Sequence, residues 1–217
     1  LPFFLVFILV TPVTLLYAFK YCGDELRTFT FFVFFILLLG FGLFFVDSIL
    51  IFFFMYEALL LPSFFILYLY AKTRRAVEAA FLMFFWTQFG AIFLIFVVQY
   101  MFMVNSCFYF SDAVNLNISN IESYMIFTSL LVGFGVKFPI WPFYDWLPQA
   151  HVEASTNFSI FLSGVLVKFA FFGFIKFMVA CGFDAIPLWF YPFILVGFLD
   201  ASTKLLSLIH IAADDMQ

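Results

Sequence analysis

The sequence predicts an all-α polytopic membrane protein of about seven transmembrane helices, including one discontinuous helix at 124–146. Three observations carry that expectation. The 217 residues are 67% hydrophobic and only 10% charged, against about 45–50% and about 25% in soluble domains. Mean hydropathy is +1.18. Apolar runs also recur at the length a bilayer needs, about 20 residues at 1.5 Å rise each to cross about 30 Å of hydrocarbon.

The first run spans about 2–19 and stops at the polar stretch Lys20 to Arg27. The second covers about 28–46, with Asp47 and Ser48 marking a tight turn. The third, about 48–71, ends at Lys72-Thr73-Arg74-Arg75, and the fourth spans about 79–104. A polar loop from Asn105 to Ser123 follows, the longest in the chain. The fifth run, 124–146, contains "GVKFPIWPFYDW" and is expected to break there. The sixth covers about 155–180, and Gly182 to Pro187 turns it round. The seventh runs over about 188–211.

Sidedness follows from Lys and Arg in short loops. With alternating spans, Lys20, Arg27, Lys72, Arg74 and Arg75 share one side, and the other carries only Lys176, its head expected to snorkel. The basic side is therefore read as inside, with the N-terminus outside and the C-terminus inside. No basic stripe suggests nucleic acid, so membrane lipid and other membrane subunits are the expected partners. The 41 Phe residues are read as lipid-facing filler. Cys22, Cys107 and Cys181 are scattered without a CxxC pair, which suggests neither a disulfide framework nor a metal site. No glycine-rich nucleotide loop or cluster-type cysteine spacing is present, so redox chemistry is expected in partner subunits.

Three ionisable residues fall inside the expected spans. Glu57 lies roughly 14 Å from the outer end of the third helix and Lys137 roughly 20 Å into the fifth, while Lys168 sits at the centre of the sixth. A charge at such depth costs about 2.5–3.5 kcal/mol on insertion scales and marks ion or proton pathways. A Glu–Lys bridge serving only helix packing is the plain alternative, but one carboxylate and two lysines leave a cation over. Lysine suits a protonic switch. Burial disfavours its charge, a nearby carboxylate favours it, and two coupled amines do not both stay charged cheaply.

Pro139 and Pro142 each remove a backbone N–H and are expected to free carbonyls near Gly135. Broken backbone at membrane depth is tolerated where it lines a wet or protein-buried cavity. His151 and Glu153 follow the break and are candidates for proton uptake from the inner water, since His titrates near neutrality. Glu153 is alternatively a cap for the sixth helix. Asp200 and Lys204, spaced i,i+4, are expected to neutralise each other. His210 reads as an interfacial histidine.

The stretches "VKFPIWPFYDWLPQAHVEAS" and "FLSGVLVKFAFFGFIKF" closely resemble the signature of the subunit 4 family of mitochondrial NADH dehydrogenase, the antiporter-like membrane subunits of respiratory complex I. "FFFMYEALLLPSFFIL" is similar to that family's carboxylate-bearing helix. The resemblance covers essentially the whole chain and implies the antiporter-like fold. It matches Glu57 to the family's essential glutamate, Lys137 to its broken-helix lysine and Lys168 to its central-channel lysine. Tyr144 stands where the family usually has His, and Ser155 where Pro usually follows His-x-Glu-Ala.

The resemblance further implies a single transmembrane domain over 1–217 whose residues 28–180 form the first five-helix repeat, with the second, inverted repeat absent. A split subunit completed by a second polypeptide, or an incomplete chain, is then expected. The implied function is a proton-translocating membrane-arm subunit of NADH:ubiquinone oxidoreductase in the mitochondrial inner membrane, its N-terminus on the intermembrane-space side and its C-terminus in the matrix. FMN, iron–sulfur clusters and ubiquinone are expected in partner subunits, with no cofactor or metal in this chain. A cation/proton antiporter subunit of the same fold and a non-pumping scaffold of the membrane arm are the alternatives.

Overall fold

A computed structural model of the chain describes residues 2–21, 26–113, 120–138, 140, 142–154 and 156–182. Ten α-helices follow one another among them: α1 (Pro2–Tyr21), α2 (Leu26–Phe45), α3 (Ile49–Ala58), α4 (Leu60–Leu69), α5 (Arg74–Asn105), α6 (Phe110–Ala113), α7 (Asn120–Gly135), α8 (Trp146–Glu153), α9 (Thr156–Phe161) and α10 (Val167–Ala180). A π-helical turn, Leu162–Leu166, joins α9 to α10. Four segments are long and apolar enough to cross a membrane: Arg27–Phe45, Ile49–Leu69, Arg74–Met103 and Leu162–Ala180. The helices of the first and fifth expected spans are also present, and the seventh span lies outside the described residues.

The turns form where the sequence supplies caps. Ser48 caps α3, its hydroxyl accepting from the Ile51 N–H, and Thr73 caps α5 by accepting from the Ala76 N–H at 3.0 Å. That cap starts α5 at Arg74, several residues before the expected 79, so Arg74 and Arg75 belong to the helix while Lys72 stays in the loop. Ser106, in the left-handed region at φ 51°, ends it. The loop after it is pinned to the α2–α3 turn: the Ile49 N–H donates to the Phe108 carbonyl and the Phe110 N–H to the Asp47 carbonyl.

Two irregularities depart from the expected spans. The third expected helix runs on through Ile49–Leu69 but is distorted at Leu59, two residues after Glu57, and Pro62 explains it. Lacking an N–H, Pro62 offers no partner to the Ala58 carbonyl four residues before it. The sixth is continuous in course but carries the π turn, where the Val167 N–H reaches back five residues to the Leu162 carbonyl.

Outward faces are apolar. Phe31, Phe34, Leu38, Phe85, Ile92 and Val179 are all exposed, the pattern of a lipid-facing surface. Inside, α5 packs against α3, α4, α7 and α8, and α10 against α7. The closest approach is between α5 and α7. A Cβ on Gly90 would lie 2.8 Å from the Gly133 carbonyl oxygen, and one on Gly133 would lie 2.5 Å from the Leu94 side chain. Small residues permit such contact between membrane helices. Gly173 likewise makes room on α10 for the Phe134 ring.

Lys176 does not snorkel. Its Nζ donates to the Val46 carbonyl at the end of α2, and its head lies 4.5 Å from the Phe110 ring centroid and 5.0 Å from that of Phe52. Helix ends carry unbonded carbonyls and ring faces attract cations. Contacts also sort the two ends of the bundle as alternating spans require. Val46, Asp47, Ser111 and Lys176 meet at one end, Thr73 and Glu153 at the other.

Gly90→Ala is expected to force α5 and α7 apart and destabilise the fold by about 1–3 kcal/mol. A lowered thermal unfolding midpoint of the detergent-solubilised protein checks this, and an unchanged midpoint contradicts the close approach.

Candidate proton-transfer site

The centre of the site is made by a distorted helix facing a broken one. Glu57 occupies the last turn of α3, just before the Leu59 distortion, and Lys137 lies in the turn that follows α7. The Lys137 Nζ donates to Glu57 Oε1 at 3.0 Å and to the Tyr56 backbone carbonyl at 3.4 Å. It also sits 3.8 Å from the Tyr56 ring centroid. Both charged side chains are largely buried, 15% exposed for Glu57 and 13% for Lys137. Glu57 Oε2 is buried without a hydrogen-bond partner among the described residues.

The backbone around Lys137 shows where the helix yields. Pro139 has no N–H for the Gly135 carbonyl, and the Ile140 N–H takes that carbonyl instead at 2.8 Å. Ile140 would otherwise serve Val136. The Val136 carbonyl is thus the freed one, and the indole N–H of buried Trp146 donates to it at 2.7 Å. So the carbonyl expected to be free near Gly135 is claimed by a side chain, and the break is held rather than loose. Trp146 is a positioning residue that sequence reasoning missed. Its place ten residues after Val136, just past the two prolines, was the available signal.

Beside the pair lies a cavity of about 40 Å³, lined by Lys137, Tyr56, Ser63, Thr87 and Trp146 together with Leu162, Leu166 and Val167 among its apolar walls. That volume holds about two or three waters.

Lys168 is placed differently. It is exposed, makes no hydrogen bond or ion pair among the described residues, and lines a separate small cavity with Phe3, Phe7, Phe44 and Gly164. The structure therefore joins Glu57 to Lys137 but does not bring Lys168 into contact with either. Its neighbour Val167 lines the Lys137 cavity.

Across the connection between α8 and α9, His151 Nδ1 hydrogen-bonds the Ser159 hydroxyl, and burial pushes its imidazole below the usual value. Glu153 Oε2 accepts from the Thr73 hydroxyl at 2.8 Å. Glu153 thereby ties the α8–α9 connection to the start of α5. Tyr144 is half-buried, while Ser155, Asp200, Lys204 and His210 lie outside the described residues. Among the described residues no cluster of three or more His, Cys, Asp or Glu side chains is placed to hold a metal ion.

A family model described as NADH:quinone oxidoreductase/Mrp antiporter, TM, matches residues 46–216. The chain belongs to that family. Among curated relatives of the NADH:quinone oxidoreductase/Mrp antiporter family it is 35% identical over 188 residues to NADH-ubiquinone oxidoreductase chain 4 of Paramecium tetraurelia, covering 86% of this chain and 39% of that protein. It is 28% identical to the chain 4 protein of Acanthamoeba castellanii, covering 85% of this chain and 37% of that one. The chain thus spans less than two fifths of the length of these relatives. Its fold is that of a chain of respiratory complex I from Thermus thermophilus with bound NADH, with a TM-score of 0.68 at 23% identity, over 82% of this chain and 38% of the other. A chain of the archaeal membrane-bound sulfane sulfur reductase is similar at a TM-score of 0.64 and 21% identity, over 79% and 28%. The antiporter-like fold that the resemblance implies is therefore present.

Trp146→Phe keeps most of the ring but orphans the Val136 carbonyl. It is expected to cost about 1–3 kcal/mol, read as a lower unfolding midpoint. An unchanged midpoint means that the indole does not hold the break.

Proposed function

We propose that this chain is a proton-translocating part of the membrane arm of NADH:ubiquinone oxidoreductase, set in the mitochondrial inner membrane among the other membrane-arm subunits. The observation that carries the reading is the buried Glu57–Lys137 pair at 3.0 Å, placed at a broken helix and beside a cavity large enough for water. The curated relatives named above are chain 4 proteins of that enzyme, which favours a respiratory assembly over a free-standing cation/proton antiporter.

In this reading Glu57 governs the charge of Lys137. While the carboxylate stays ionised at hydrogen-bond distance, the ammonium is retained. Displacing or neutralising the carboxylate leaves a lone buried cation, whose cheapest escape is to give up its proton. The proton passes to water in the adjoining cavity and then towards the α9–α10 segment that carries Lys168. No direct contact joins the two lysines, so the transfer runs through water rather than from amine to amine. His151 and Glu153 stand at the inner side as candidates for proton uptake; partial burial weakens the hold of the His151 imidazole on a proton, so one taken up there is readily passed on. Electron transfer, with its FMN, iron–sulfur clusters and ubiquinone, belongs to partner subunits.

The sidedness follows the loop charges: N-terminus towards the intermembrane space, C-terminus towards the matrix.

Lys137→Ala in the reconstituted complex is expected to lower the number of protons moved per NADH oxidised. An unchanged ratio rejects pumping through this residue and favours a scaffold role. Sodium-dependent transport without NADH oxidation by the purified assembly favours the antiporter alternative instead.

A further inference from the structure

Three of the four cations gathered at one end of the bundle sit where their own helices disfavour them. Arg27 lies in the first turn of α2, and Arg74 and Arg75 open α5. A helix start carries partial positive charge, so a cation there costs stability rather than adding it. The fourth, Lys72, lies in the connection between α4 and α5, and all four are exposed. Arg27, Lys72 and Arg75 make no hydrogen bond or ion pair among the described residues. Arg74 pairs with Glu78 at 3.0 Å, but the two side chains are 93% and 62% exposed, where such a pair contributes little. The other carboxylate described at this end, Glu153, accepts from the Thr73 hydroxyl.

Ring contacts bring these cations to the same end. Between α2 and α4, Phe32 stacks on Phe65 at 5.7 Å and Phe29 meets Tyr70 at 6.1 Å, an antiparallel pairing that Arg27 and Lys72 continue. Between α4 and α5, Phe81 meets Tyr68 at 6.0 Å and Phe64 at 5.4 Å. Below the cations this second seam is apolar and open. Leu61, Phe65 and Tyr68 are exposed on α4 at the helical spacing that leads to Lys72. Phe81 and Phe85 are exposed on α5 at the spacing that leads back to Arg74. From Arg74 to Phe85 is roughly 16 Å at the helical rise, about half the thickness of a bilayer core. The apolar column therefore has the reach of an acyl chain in one leaflet, and it ends in cations at the level of a headgroup.

We infer that the α4–α5 seam holds an anionic phospholipid, its acyl chains along Phe65, Tyr68, Phe81 and Phe85 and its phosphate on Lys72, Arg74 and Arg75. Arg27 adds to the positive field from the neighbouring helix. A guanidinium offers phosphate paired N–H donors in a fixed fork, and each Lys or Arg near the membrane surface raises the capture of an anionic headgroup by about fivefold. Loop sidedness accounts for the cations but not for the apolar column that leads away from them. A zwitterionic lipid fills the column but brings no net charge to answer four cations with two carboxylates. The seam lies apart from the Glu57–Lys137 pair, and the inference holds whether or not that pair moves protons.

The test uses the purified assembly that contains this chain, in phosphatidylcholine bilayers doped with phosphatidylglycerol carrying a photoactivatable acyl tail. Labelling, mapped by mass spectrometry, is expected to concentrate on the α4–α5 seam over the equally exposed faces at Phe34 and Ile92. The same tag on phosphatidylcholine is expected to show no such preference. Lys72→Gln, Arg74→Gln and Arg75→Gln are each expected to lower seam labelling by about fivefold, and Glu78→Gln, which frees Arg74, to raise it. Labelling spread evenly over the exposed faces, or equal for the two lipids, would reduce the seam to ordinary lipid contact and overturn the inference. An unlabelled seam means that a protein partner covers it, and overturns the inference as well. Should a charge-neutralising variant fail to insert, Glu78→Gln still decides, because it leaves every cation in place. Unchanged or weaker labelling in that variant refutes the phosphate contact.

Discussion

A carboxylate and an ammonium held 3.0 Å apart in a lipid-embedded interior constrain everything near them. Each alone is costly at that depth, and removing one partner from a buried pair costs about 3–5 kcal/mol. The pair is favourable only while its remaining hydrogen-bonding capacity is met. Lys137 finds a second acceptor in the Tyr56 carbonyl and a ring face in Tyr56 itself. Glu57 keeps one oxygen without a partner among the described residues. The lysine is therefore better satisfied than the carboxylate. A small change at Glu57 shifts the balance more than the same change at Lys137.

The irregular backbone gathers round that pair. Pro62 distorts the α3–α4 helix one turn after Glu57, the proline pair ends α7 just before Lys137, and the π turn walls the same cavity. Straight helices would leave no polar backbone here, because each carbonyl would be used by its own helix. Trp146 limits the disorder such breaks invite, spending a side-chain donor on the one carbonyl that the rearranged bonds leave over. Towards the Lys176 end the packing is dry. Phe52, Phe110, Phe134 and Phe177 are buried and meet at centroid distances of 5.0 to 5.9 Å. A charge leaving Lys137 straight towards that end would cross this aromatic plug. The cavity beside Lys137 lies against the π turn instead.

Four apolar spans, the break around Lys137 and the proximity of Glu57 to Lys137 were legible in the sequence, because hydropathy, proline chemistry and charge depth act locally or in one dimension. What was hidden depends on rotation and on three-dimensional neighbours. Depth along a helix placed Lys168 level with Lys137 but carried no information on azimuth, and the π turn just before Lys168 alters the azimuth without any change in composition. Lys176 illustrates the same limit. A lysine near a helix end reads as snorkelling unless the unbonded end of another helix is known to lie beside it. The distortion at Leu59 was readable in principle, since Pro62 marks it four residues after Ala58. An uninterrupted apolar run masked it.

The two lysines of α10 show what separates a structural cation from a mobile one. Eight residues apart on one helix, they meet opposite conditions. Lys176 is tied to a backbone carbonyl and faces two aromatic rings, contacts that hold its head in place. Lys168 has no such contact among the described residues and stands exposed at mid-span. An ammonium at the bilayer centre without partners costs about 2.5–3.5 kcal/mol. A proton carrier must release as readily as it accepts. Lys137 differs from Lys176 in one respect: its acceptors include a carboxylate at 3.0 Å, a partner that can itself gain or lose a proton.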